Sequence, residues 1–271
     1  DYYASRGLGD VYKRQVFIWM EDDVMSKIAV VTGASSGLGR EFVVQISEKY
    51  KTIDEIWVIA RRTERLYALE REIEGKKVIV LPLDVTKQDD LESYKKMLAK
   101  EHPWVRVLVN AAGYGIMGHV EDVVCEELTG MIDVNCKALV AMTKITLPYM
   151  KEQSNIINIA SSAAYLPQPS FAVYAATKSM VRSFSKALNK ELEDRGITVT
   201  AVCPGPVNTE FFDVAEKYSH TKAFKRLFRV EAKNVVKRAL FDAYYLKTES
   251  TYSITMKAFK VVTKLLSLIH I

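Results

Sequence analysis

From residue 27 onward, short runs of branched aliphatic residues alternate with longer amphipathic stretches. The runs are 27–32 (KIAVVT), 55–60 (EIWVIA), 77–83 (KVIVLPL), 105–110 (VRVLVN), 155–161 (NIINIAS) and 197–202 (ITVTAV). They lack the polar–apolar alternation of a strand with one wet face, so each reads as a strand covered on both sides. Residues 38–50, 63–73, 87–100, 120–149 and 174–195 lie between them and read as helices. Repeated strand–helix alternation needs right-handed crossovers. It predicts an open, doubly wound parallel sheet of about seven strands with helices on both faces. The seventh strand is expected near residues 252–254.

The 271 residues are 49% hydrophobic and 26% charged, enough for a core that needs no staples. No linker rich in Pro, Gly or Ser and no internal repeat divides the chain, so residues 25–265 read as a single domain. Cys125, Cys136 and Cys203 are an odd set without metal-ligand spacing. They fit small buried side chains in a reducing cytoplasm rather than a disulfide framework. His102, His119 and His220 are scattered, and no metal site is expected. The net charge of +5 comes without a dense Lys/Arg block, which argues against a nucleic-acid partner. No apolar run reaches membrane-spanning length. VFIWM, at 16–20, is too short, and Glu21, Asp22 and Asp23 stand where a signal peptide needs small residues.

Both ends read as foreign to this domain. Residues 10–15 are DVYKRQ, which GATGTGTATAAGAGACAG encodes. The reverse complement, CTGTCTCTTATACACATC, encodes LSLIHI, residues 266–271. That DNA resembles a transposon end tag used to prepare sequencing libraries. Residues 1–15 and 266–271 are therefore expected to be read-through of a tag, with a natural start at Met20 or Met25.

In open parallel sheets, ligands bind outside the carboxyl ends of the strands. The residues that follow the strands are accordingly the informative ones. The first strand runs into TGASSGLGR, which places Gly33, Gly37 and Gly39 at a strand-to-helix turn. Glycine lets backbone approach a phosphate without an intervening Cβ, and the helix that follows offers free N–H groups and a positive dipole end. Gly33, Ser35, Ser36, Gly37, Leu38 and Gly39 thus form a candidate phosphate cradle, although a plain tight turn has the same composition. After the second strand come Arg61 and Arg62, where an NAD site usually carries an acid. Guanidinium groups suit a 2′-phosphate, with charge-assisted bonds of about 1.5–3 kcal/mol each. The expected cofactor is NADP in preference to NAD, unless both arginines are solvated surface charges. Arg40, beside the glycine loop, either assists or faces solvent.

Tyr174 and Lys178 are four residues apart in a helical stretch, on one face and about 6 Å apart along the axis. A phenol with pKa near ~10 needs help to act at neutral pH, and a neighbouring ammonium stabilises the phenolate. Tyr-x-x-x-Lys alone is common on helices. The adjacent Ser161 and Ser162 cannot be told apart, because a strand buried on both faces provides no alternation.

Taken together, TGASSGLG, NAAG (110–113), the two serines, YAATK (174–178) and PGPVNT (204–209) occur in order after successive strands. This set closely resembles the short-chain dehydrogenase/reductase family in its compact branch, continuously over 27–209 and more loosely to about 265. The resemblance implies a Rossmann-type fold and hydride transfer between NADP and a carbonyl or secondary alcohol. It implies that Tyr174 is the acid/base and that Lys178 lowers its pKa and holds the nicotinamide ribose. It selects Ser161, thirteen residues before Tyr174, as the oxyanion donor, and Asn135 as support for the lysine through a water relay. It implies adenine contacts at Asp84 and Val85 and a cofactor wall at Asn110, Ala111 and Gly113. It further implies a carboxamide segment at Pro204, Gly205, Val207 and Thr209. Ser36 stands where many NADP-using members carry a basic residue in the glycine loop, which leaves NADP preference to Arg61 and Arg62. A homo-oligomer, dimer or tetramer, is also a family-level expectation.

Phe211, Phe212, Phe224, Leu227 and Phe228 either lid an apolar substrate pocket or pack as a helix on the body. Lys222, Lys225, Arg226 and Arg229 read as a solvated face first, and as contacts to an acidic substrate tail or a membrane surface second. Tyr165 lies in a Pro-broken loop and at most lines the substrate mouth. An epimerase or dehydratase on the same fold is the weaker enzymatic reading. A non-catalytic NADP-sensing or interaction protein is the alternative outside enzymology; a sensor has no need of the Ser161/Tyr174/Lys178/Asn135 set.

Overall fold

The computed structural model describes residues 25–218 and 229–269, with side chains to residue 263. The 1–15 segment, the apolar run at 16–20, His220, Lys222, Phe224, Lys225, Arg226, Leu227, Phe228 and His270 lie outside the described residues.

Six strands and their crossover helices follow the alternation read from the sequence. They are β1 (Lys27–Thr32), α1 (Gly37–Lys49), β2 (Glu55–Ile59), α2 (Thr63–Glu72), β3 (Lys77–Leu81), α3 (Gln88–Glu101) and β4 (Trp104–Asn110). The chain continues through α4 (Cys125–Ile132), α5 (Leu139–Thr146), β5 (Asn155–Ile159), α6 (Ala172–Glu191) and β6 (Thr198–Val202). After β6 come β7 (Val207–Asn208), α7 (Phe211–Ala215), β8 (Val230–Glu231), α8 (Ala232–Tyr244), β9 (Glu249–Ser250) and α9 (Ile254–Ile269). The main sheet is parallel throughout, in the order β3-β2-β1-β4-β5-β6-β9. Strand order reverses between β1 and β4, and an open α/β sheet binds ligands outside the carboxyl ends at that point.

Alternate residues of each strand enter opposite layers. Ala29 and Val31 of β1 pack with Phe42, Val43 and Ile46 of α1. Ile28 and Val30 pack with Leu91, Tyr94 and Leu98 of α3 on the other face. Both faces are dry, so the strands need to be apolar at every position. Arg106 is the charged exception within β4, whose last residue, Asn110, is also polar. The β1–β4 register slips at Arg106, so that Ile28 faces Val105 and Ala29 faces Val107, and the extra residue bulges out. Its guanidinium stacks over Trp104, 4.8 Å from the ring centroid.

Two expectations are corrected. The seventh strand is Glu249–Ser250, not residues 252–254. Ser253 adopts φ 75° and Ile254 already opens α9, so the chain has left the sheet by then. Glu249 is held in place from several sides, by Arg182, Lys186, Lys260 and the Tyr165 hydroxyl. The single helix expected over 120–149 is instead α4, a π-helical turn (Asp133–Ala138), α5 and a 3₁₀ turn (Leu147–Tyr149) containing Pro148. Among the described residues no helix is long and apolar enough to cross a membrane.

Candidate active site

The glycine loop follows β1 at the switch point. Gly33 has φ +67°, and a Cβ there would lie 2.7 Å from the Ala112 nitrogen, so only glycine lets the loop pass the end of β4. Thr32 fastens the two strand ends: its Oγ1 accepts the N–H groups of Ala111 and Ala112, each at 3.1 Å. α1 begins at Gly37 with no acid in its first turn and no cap bond from the Ser36 side chain. Its positive end is therefore uncompensated where it meets the cleft, which suits an anion.

Beyond β2, the Arg62 guanidinium donates Nε to Ser35 Oγ (3.1 Å), Nη2 to Ser36 Oγ (2.5 Å) and Nη1 to Glu210 (2.9 Å). Arg65 donates to both oxygens of the same carboxylate, at 2.6 and 2.8 Å. Arg61 is 74% exposed and lies 4.0 Å from Asp84. Burial works to raise the Asp84 pKa. Hydrogen bonds from the Thr86 hydroxyl and N–H, with the Arg61 and Lys87 charges, outweigh it and hold the carboxyl below its usual range. Arg40 pairs with Glu72 and does not line the cleft.

At the other end, α6 carries Tyr174 and Lys178, both buried at 7% and 5% exposure. The Lys178 ammonium lies 5.6 Å from the Tyr174 ring centroid and donates to the Ile159 carbonyl at 2.8 Å. Burial pushes the Tyr174 phenol up to about 12, while a hydrogen bond with Ser161 pulls it down. Burial pushes Lys178 down to about 8. In the chain alone, desolvation thus dominates both groups, where the sequence reading had the lysine charge lowering the phenol.

The two serines differ in their backbone surroundings. Ser161 caps the 3₁₀ turn Ser162–Tyr165, its Oγ accepting the Ala163 N–H at 3.1 Å, so the hydroxyl proton is left to donate toward Tyr174. Ser162 is fixed through its own N–H, which donates to the Pro204 carbonyl at 2.8 Å. Both line the cleft.

Phe171 stacks on the Tyr174 ring (centroids 4.2 Å apart), and Phe211 meets it at 5.4 Å. Phe212 is buried in the same cluster, with Met117 and Ala163. The described part of the aromatic segment therefore flanks the tyrosine. Tyr165 instead turns toward Glu249 and Thr251 and does not line the cleft.

One cleft of about 750 Å³ joins the two ends, within the range of small-molecule and cofactor sites. Its lining takes in Gly33, Ser35, Ser36, Gly37, Leu38 and Gly39, then Arg61, Arg62, Asp84 and Val85. It continues over Ala111 and Gly113 to Ser161, Tyr174 and Lys178, with Pro204, Gly205, Val207 and Thr209 on the far side. Asn110 and Asn135 are placed behind this wall. The Asn110 amide donates to Thr143 Oγ1 and Asn158 Oδ1, tying β4 to β5 and α5 in the core. Asn135, in the π-helical turn, donates to Tyr114 O and Thr177 Oγ1 and accepts the Tyr114 N–H. A Cβ on Gly113 would lie 2.7 Å from Asn135 Oδ1 and 3.4 Å from Lys178 Nζ, so glycine is what allows the wall to press on both.

Arg65 and Glu210 were not singled out from the sequence. Arg65 falls three residues after Arg62, at helical spacing, and was open to being found. Glu210 pairs with a residue 145 positions away and left no local signal. Among the described residues no cluster of His, Cys, Asp and Glu is placed to hold a metal.

Comparison with known proteins is consistent with this layout. The family model for short chain dehydrogenase matches residues 27–219. An uncharacterized oxidoreductase of Staphylococcus epidermidis is 30% identical over 220 residues, covering 80% of this chain and 91% of that protein. The closed form of a serine dehydrogenase complexed with NADP+ superposes with a TM-score of 0.73 at 31% identity, covering 83% of this chain and 94% of the other. A short-chain dehydrogenase from Sphingobium yanoikuyae in complex with NADPH shares the fold, with a TM-score of 0.75 at 24% identity over 90% of this chain and 95% of the other.

Proposed function

The chain belongs to the short-chain dehydrogenase/reductase family, whose members are NAD(P)-linked oxidoreductases acting on CH–OH and C=O groups, and from that premise we propose an NADP-dependent enzyme acting on an apolar carbonyl or secondary alcohol. The observation that carries the reading is the joining of two unlike ends in one cleft. An anion-ready helix end with arginines lies at one side, and a buried tyrosine, serine and lysine lie at the other.

The cleft fits a nicotinamide dinucleotide on its own features. The glycine loop leaves backbone bare at the start of α1, and Arg62 presents a guanidinium oriented by two serines. The adenosine phosphate is assigned to Arg62 with Arg61, and the adenine to Asp84 and Val85. The nicotinamide ribose is assigned to Tyr174 and Lys178, and the carboxamide to the segment from Pro204 to Thr209. When bound, the cofactor supplies or accepts the hydride at the substrate carbon.

In the reducing direction, the Tyr174 phenol donates its proton to the carbonyl oxygen, and its raised pKa keeps that proton in place at neutral pH. Ser161 donates to the same oxygen as negative charge develops. Lys178, charged below about pH 8, has its ammonium 5.6 Å from the Tyr174 ring centroid and favours the phenolate left behind. The Asn135 side chain holds the Tyr114 backbone and Thr177, which keeps the wall beside Lys178 in position. Both of its amide N–H groups are used, so a relay through bound water would use its carbonyl groups. Phe171, Phe211 and Met117 around the tyrosine favour an apolar substrate. On family grounds we also expect a homo-oligomer, and the free thiols of Cys125, Cys136 and Cys203 suit a reducing cytoplasm.

The test is a panel of apolar ketones, aldehydes and acyl-type carbonyls with the wild-type chain, followed through loss of NADPH absorbance. Turnover with at least one class, faster with NADPH than with NADH, is expected. Cofactor binding without turnover on any of them would favour a sensor instead.

A further inference from the structure

We propose that Glu210 is a specificity-determining residue: its carboxylate occupies the anion slot formed by Arg62 and Arg65, so that a 2′-phosphate must displace it while an unphosphorylated ribose need not. The proposal rests on the NADP reading given above.

Three observations place this carboxylate in the slot. The Arg62 guanidinium is already oriented by the glycine loop, with Nε on Ser35 and Nη2 on Ser36, so one edge remains for an anion. That edge and Arg65 Nη1 both point at Glu210, which accepts one bond from Arg62 and two from Arg65. Glu210 comes from the far wall, beside Thr209 and directly before α7, so the contact spans the mouth of the cleft. Arg62, Arg65 and Glu210 are each about half exposed, and such ion pairs are weak enough to exchange.

Charge decides the exchange. A phosphate dianion offers more acceptor oxygens and more charge to two guanidinium groups than one carboxylate does. A neutral ribose hydroxyl does not, and leaves the Glu210 pairs standing. Glu210 therefore acts against NADP and is nearly silent toward NAD, while Arg65 acts for NADP beside Arg62. Because α7 follows at once with Phe211 against Tyr174, release of Glu210 also frees the anchored end of the segment that flanks the catalytic residue.

Calorimetric titration with 2′,5′-ADP and with 5′-AMP isolates this contact without turnover. Glu210→Gln is expected to bind 2′,5′-ADP about five- to tenfold more tightly, the scale of two exposed ion pairs, with 5′-AMP unchanged within about twofold. Arg65→Ala is expected to weaken 2′,5′-ADP alone. In an Arg62→Ala/Arg65→Ala background the Glu210→Gln gain should vanish. An unchanged ratio of the two affinities in Glu210→Gln would overturn the proposal, as would a gain that persists without the arginines. A wild-type chain that binds 2′,5′-ADP no better than 5′-AMP, with no response to Arg62→Ala, would instead overturn the NADP reading and this proposal with it.

Discussion

At the glycine-loop end, the cleft is lined by backbone and exposed charge: the Arg61 side chain is 74% exposed and that of Arg62 45%. At the other end Tyr174 and Lys178 are 7% and 5% exposed, and burial pushes the phenol up to about 12 and the ammonium down to about 8. The contrast separates two kinds of work. Exposed guanidinium groups are screened by salt and exchange partners at small cost. Buried titratable groups have their proton affinity set by the protein, and folding carries the desolvation cost. Substitutions at the first end should therefore act on cofactor affinity. Those at the second should act on turnover and on stability.

The largest effect that sharpens this contrast is expected at the serines. Ser161→Ala should lower kcat about 10²–10³-fold with NADPH affinity little changed, the scale of losing one oxyanion donor. Ser162→Ala should stay within about threefold, because that residue is fixed through its backbone N–H to Pro204. Steady-state kinetics on both variants decides the matter, and equal losses would remove the distinction. Next in size, Arg62→Ala should raise the Kd for NADPH about ten- to hundredfold, with NADH little affected and kcat at saturation retained. A fall in saturated kcat of the same size would break the separation between the two ends.

The smallest effect is on stability. Lys178 has a pKa near 8 in the folded chain against an ordinary 10.5. Between those values the unfolded chain binds a proton that the folded chain does not, so wild-type stability from this group rises with pH across the window. Below about pH 8 the folded chain carries the full cost of a buried ammonium. Lys178→Met should therefore unfold a few degrees higher than wild type at pH 7, while losing activity, and the advantage should shrink toward pH 10.5. A difference in Tm that does not vary with pH across this window would contradict the burial argument.

Which features were legible in the sequence follows the same division. The strands were visible because a doubly covered sheet needs unbroken Val/Ile runs, and the glycine loop was visible because its residues are adjacent in the chain. Tyr174 and Lys178 share a helix face by their spacing, but only the ordered set of motifs around them singled the pair out. Four features depended on tertiary contact and were not visible. Ser161 and Ser162 are distinguished by the 3₁₀ turn that follows β5, by the bond of Ser161 with Tyr174 and by that of the Ser162 N–H with Pro204. Asn110 turns into the core, but a strand buried on both faces does not reveal which way a side chain points. The π-helical turn at Asp133–Ala138 sits inside a stretch with ordinary helical periodicity. Glu210 meets arginines from the other half of the chain. The seventh strand was displaced by three residues, since two residues paired on β6 are too few to leave a hydrophobic pattern.

Tyr174→Phe keeps the ring and its stack on Phe171 while removing only the hydroxyl. Turnover of the best carbonyl in the panel and the Kd for NADPH are measured on the same preparation. At least a hundredfold loss of turnover is expected, the scale of a lost general acid, with NADPH affinity within about threefold of wild type. Turnover close to wild type would rule out Tyr174 as the acid/base.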